Sequence, residues 1–151
     1  MCLCTFQTSP KIAEEDITCY KVLTKDLKSP CYGQQYELGK LIKSKLVFTP
    51  RPICDSLGNI SSNSHTVNEG LHTYNDKDDA ISTIRVLWVP QNNWTDVDEI
   101  YAPIVVKCII PKGSEYYIGR AFVWLHSSFE YASNQLIPKK IVYDATEASK
   151  N

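Results

Sequence analysis

His72 and Tyr74 stand two residues apart in Gly70-Leu71-His72-Thr73-Tyr74, a stretch with strand character. A strand sends alternate side chains to one face, so an imidazole able to move protons and a phenol could line one pocket together. The same imidazole fits equally as a hydrogen-bonded structural histidine, since no partner is fixed by spacing. His65 in a polar loop and His126 near Trp124 stand at no set distance from an acid or from paired cysteines, so neither forms a triad or metal pattern. Tyr20, Tyr36, Tyr116, Tyr117 and Tyr131 would stack a base or nicotinamide if they converged on a cleft. Otherwise they fill half-buried strands with their hydroxyls at the rim.

Asp76, Asp78 and Asp79 lack the glycine and terminal glutamate of a calcium loop and are read as a helix start, with Asn75 or Asp76 as cap. The cysteines at 2, 4, 19, 31, 54 and 108 fit no paired zinc spacing, so no metal is expected and free thiols are favoured. Cys108, inside an apolar run, is read as a small buried residue. Lys40, Lys43 and Lys45, and Lys139 with Lys140, form short basic clusters, read as solvated surface.

These groups need elements to hold them. Ile17 to Leu23 is β-branched and aromatic enough for a first strand, and Gln35 to Leu41 reads as extended chain bent at a glycine, continued by Lys45 to Phe48. Residues 50–68 carry two prolines and a polar run, which predicts an irregular excursion. Glu69 to Tyr74 reads as a strand, and the acids after it open one amphipathic helix that Pro90 ends. Ile100 to Pro111 is the strongest strand signal and predicts a central position. Pro111 to Ser114 predicts a hairpin turn into Glu115 to Gly119, and two extended pieces, 129–137 and 139–143, are expected with Pro138 as the break. The domain reading is an N-terminal arm over 1–16, one domain over 17–145 and a frayed tail over 146–151. The fold class is α+β, a mixed, mostly antiparallel sheet with one principal helix.

Sixteen basic and seventeen acidic side chains in 151 residues leave a formal charge of -1, so no broad positive field draws phosphate backbones or anionic lipid. Neither nucleic acid nor membrane is an expected partner. No secretory signal or spanning segment is read, which gives a soluble, cytoplasmic expectation.

Four pieces in order resemble the small-domain ADP-ribosyltransferase-like layout: Tyr20-Lys21, Gly70 to Tyr74 ahead of a helix with Ala80, Ile109-Ile110-Pro111-Lys112-Gly113, and Ala132 to Pro138. The likeness spans about 17–145, and the closer resemblance is to short bacterial and phage proteins with a Tyr-Lys-Val opening, a Gly-hydrophobic-His segment, an Ile-Pro-Lys-Gly turn and a Tyr-Ala-Ser-Asn-Gln stretch, which implies no activity. The resemblance implies that Lys21 stands where active transferases grip NAD with His or Arg, although an ammonium lacks a planar fork. It implies that Gln135 stands in the stretch where they carry a glutamate, and an amide cannot neutralise an oxocarbenium-like centre. Glu130, five residues earlier, faces the other way by alternation and is the one catalytic candidate. The expected function is therefore a non-catalytic accessory or binding protein with no cofactor, its cleft bordered by Lys21, His72, Tyr74 and Gln135 for a nucleotide-like molecule or a protein segment. One alternative is a reduced-motif ADP-ribosyltransferase or NAD glycohydrolase using NAD. Another is a host- or phage-related interaction module with its interface along 50–68.

Overall fold

A computed structural model describes residues 3–5, 7–29, 33–49, 53–54, 60–61, 65–84, 102–121 and 129–149. Strands are β1 (Leu3–Thr5), β2 (Lys11–Ile12), β3 (Ile17–Thr24), β4 (Ile42–Lys43), β5 (Val47–Thr49), β6 (Ile53–Cys54), β7 (Ile60–Ser61), β8 (His65–Glu69) and β9 (Leu71–Tyr74). Helix α1 (Lys77–Thr83) follows, then β10 (Pro103–Ile110), β11 (Glu115–Ala121), β12 (Glu130–Ser133), β13 (Gln135–Asp144) and helix α2 (Ala145–Ser149). Of the described residues 56% are strand and 11% helix, so the fold is more β-rich than the α+β expectation. The sheet runs β4-β13-β10-β3-β9-β12-β11-β1-β8-β5, with β2 also on β11 and β6-β7 apart. Every pairing among the described residues is antiparallel rather than mixed.

The apolar run of β10 sits between β3 and β13, as its composition predicts, because only a strand covered on both faces can bury consecutive Ile104, Val105 and Val106. On one face Cys19, Leu23, Leu71, Val106, Cys108 and Leu136 pack under Tyr36. On the other, Val22, Tyr74 and Val105 meet Ala80 and Ile84 of the α1 segment and Ala145 of α2. Asp76 caps α1 by accepting the Asp78 N–H at 2.7 Å, which explains the acid cluster as a helix start. Val86, Leu87, Trp88 and Pro90, the rest of the expected helix, lie outside the described residues.

The sheet turns a corner at Asn134. Only this residue separates β12, paired with β9 and β11, from β13, paired with β10 and β4. The Asn134 Oδ1 accepts the Glu115 N–H at 2.9 Å, its own N–H donates to the Glu115 carbonyl at 3.0 Å, and its carbonyl accepts the Ser44 N–H at 2.9 Å. The break thus falls at Asn134 instead of Pro138, which is buried within β13 opposite Cys108, where the register shifts. Such a bulge tolerates a residue with no N–H to give.

The expected β10-β11 hairpin is absent, since β3 and β13 occupy both edges of β10 and the turn at 111–114 hands the chain to β12, β1 and β2 instead. The region read as an arm contributes β1, with Leu3 fully buried between β11 and β8, and β2. The end read as a tail forms α2, where Asp144 Oδ1 accepts the Thr146 N–H at 2.9 Å. Residues 65–68 of the expected excursion belong to β8, whose end at Gly70 is a close approach: a Cβ there would stand 2.8 Å from Leu46 Cδ2. No helix among the described residues is long and apolar enough to cross a membrane.

Candidate functional site

Strand β9 holds His72 and Tyr74, and its neighbours fix what they face. Tyr74 is in register with Tyr20 of β3 and Glu130 of β12, and His72 with Ala132. Registered residues share a face, so His72, Tyr74 and Glu130 point to the side packed by α1. Lys21 follows Tyr20 and points to the opposite side. Its ammonium reaches the β9 backbone, donating to the His72 carbonyl at 2.7 Å, and lies 5.5 Å from the centre of the Tyr36 ring. Gln135 stands across the corner on β13, paired with Lys43, its carbonyl accepting the Ser133 hydroxyl at 2.9 Å. The four expected cleft residues therefore divide into a main-chain contact between Lys21 and His72, a face shared by His72 and Tyr74, and Gln135 on another strand pair.

Burial lowers the His72 imidazole to about 3, with the Lys21 charge acting the same way, so the ring is neutral at physiological pH. Its Nε2 is buried and has no hydrogen-bond partner among the described residues. Glu130 is buried, and loss of water raises its carboxyl to about 7, the nearby Asp79 carboxylate adding to the rise. Asn75, between β9 and α1, is tied to β12 by its N–H on the Phe129 carbonyl at 3.2 Å and by the Tyr131 hydroxyl on its Oδ1 at 3.2 Å. A carboxyl that keeps its proton to neutrality beside a second acid has the properties of a general acid or base.

Cys19 and Cys108 face each other in register across β3 and β10, both free and buried. Burial lifts Cys19 to about 12, against partial opposition from the Thr73 hydroxyl and the Lys21 charge, and moves Cys108 up as well. Such thiols are unreactive apolar residues at neutral pH, in line with the reading of Cys108. The other cysteine side chains, His65 and His126 lie outside the described side chains. Among the described residues no three His, Cys, Asp or Glu side chains converge as metal ligands.

A groove of about 780 Å³ opens beside β2, lined by Lys11, Ile12, Glu14, Glu15, Asp16, Ile17 and Tyr116. The segment is pinned by the Ala13 N–H on the Ser114 carbonyl and the Gly113 N–H on the Ala13 carbonyl, each 2.8 Å, and by Asp16 Oδ1 accepting the Lys112 N–H at 2.9 Å. Glu14 and Glu15 are exposed and Ile12 is 56% exposed, so acidic and apolar side chains line one open depression together. The acid run is visible in the sequence, but nothing local says that β11 pairs beside it. No protein family, curated protein or solved structure matches the chain.

Proposed function

We propose that this chain is a non-catalytic binding protein that takes an extended, basic peptide segment in the groove beside β2. The observation that carries the reading is the groove itself: among the described residues apolar Ile12, Ile17 and Tyr116 line it together with the acids Glu14, Glu15 and Asp16 and one cation, Lys11. Its volume suits a few residues of chain, and the acids repel phosphate while attracting lysine or arginine. Among the described residues β2 pairs only with β11, so its other edge offers main-chain groups for strand addition. A nucleotide-like ligand held by Lys21, His72, Tyr74 and Gln135 has less support, because the Lys21 ammonium already serves the His72 carbonyl. A cytoplasmic setting that keeps Cys19 and Cys108 as thiols belongs to the same reading. Of the interaction module along 50–68, residues 50–52, 55–59 and 62–64 lie outside the described residues. The test is fluorescence anisotropy of a labelled peptide of alternating lysine and valine: the wild type binds it, and Glu14→Lys with Glu15→Lys does not.

One observation favours a second reading, the reduced-motif ADP-ribosyltransferase or NAD glycohydrolase on an ADP-ribosyltransferase-like fold. It is the buried Glu130 carboxyl, poised near neutrality beside Asp79. NAD turnover by the wild type that disappears in Glu130→Gln supports this reading, and no turnover by the wild type removes it.

A further inference from the structure

Near-zero net charge conceals a segregation that only the fold creates. Pairing of β4 with β13 brings residues 37–45 against residues 135–141, with the Gly39 N–H donating to the Pro138 carbonyl at 2.7 Å. These two stretches contain five lysines, Lys40, Lys43, Lys45, Lys139 and Lys140, and one acid, Glu37. All five lysines are exposed, and among the described ion pairs only Lys40 is neutralised, by Glu37 at 2.8 Å. On the 37–45 stretch Leu38 and Leu41 are 40% and 47% exposed, two of the six large apolar side chains that stand out from the described surface, while Ile141, in register with Val106, faces away from Lys140, in register with Lys107. We infer that this patch docks on an anionic lipid bilayer, its lysines against the headgroups and Leu38 and Leu41 entering the acyl boundary.

Shape selects the bilayer over other anions. Residues 37–41 are all exposed around a turn, and a Cβ on Gly39 would meet nothing within 4 Å among the described residues, so the aliphatic side chains ride on an exposed turn rather than in a groove. An exposed turn suits a deformable planar surface, whereas an acidic peptide needs a channel and a nucleic acid gains little from exposed leucines. The combination of a polybasic cluster with inserted aliphatic groups supplies the two signals that reversible membrane binding requires. This site is independent of the peptide groove, which is lined by other residues.

Co-sedimentation with vesicles tests it, using phosphatidylcholine alone and phosphatidylcholine mixed with phosphatidylserine. The protein should pellet with the mixed vesicles and not with the neutral ones. With each lysine worth about fivefold in partitioning, Lys139→Gln with Lys140→Gln should lower binding at least tenfold, and Leu38→Ser with Leu41→Ser several-fold. All four positions are exposed, so unchanged thermal melts are expected; should one pair melt early, the other pair decides the question. Equal binding to both vesicle types, binding to neither, or a duplex DNA gel shift in place of vesicle binding would overturn the proposal.

Discussion

His72 and Glu130 share a sheet face, and burial shifts the imidazole down and the carboxyl up, which gives a pH signature. Between about 3 and the ordinary 6.5, the unfolded chain binds a proton that the folded imidazole refuses, so stability rises with pH. Between the ordinary 4.5 and about 7, folded Glu130 keeps a proton that the unfolded chain releases, so stability falls with pH. Each slope approaches ~1.4 kcal/mol per pH unit, and from 4.5 to 6.5 the two cancel. Denaturant melts should therefore show a rise with pH across this window in Glu130→Gln and a fall in His72→Asn. Two variants with the same profile as wild type would contradict the assigned burial. The common face of His72 and Tyr74 was legible from their spacing. The approach of Glu130 to Asp79 was not, because it depends on β12 pairing with β9, a contact between residues more than fifty positions apart.

At the scale of elements, the corner at Asn134 carries the architecture. Asn134→Ala removes the side-chain acceptor for the Glu115 N–H and should cost about 1 kcal/mol, read as a fall of about 2–4 °C in Tm. An unchanged melt would mean that the main-chain bonds of Asn134 hold the corner alone. The strong local patterns, β3, β9, β10 and the α1 start, were legible because β-branched runs and an acid cap signal themselves. The corner was hidden because Pro138 is the louder breaker in sequence, yet a bulge absorbs it. Strands β1 and β2 were hidden for another reason: segments of two or three residues carry no periodicity, and their place is set by β11.

For the whole molecule, composition gave a near-neutral sum and folding separates its parts. Glu14, Glu15 and Asp16 gather at the β2 groove, while Lys40, Lys43, Lys139 and Lys140 gather along β4 and β13. Clusters of opposite charge imply oppositely charged, salt-sensitive partners, the basic peptide and the anionic bilayer, and both associations should weaken as ionic strength rises. The candidate groove could not be read beforehand, since an acid run after Pro10 is indistinguishable from a solvated arm until Tyr116 is placed beside it. The most direct measurement is the anisotropy titration of the alternating lysine-valine peptide against wild type and the Glu14→Lys, Glu15→Lys variant. Saturable binding by the wild type that rising salt weakens and the variant loses, with its melt unchanged, is the predicted result; a flat wild-type titration, or equal binding by both proteins, would contradict the account.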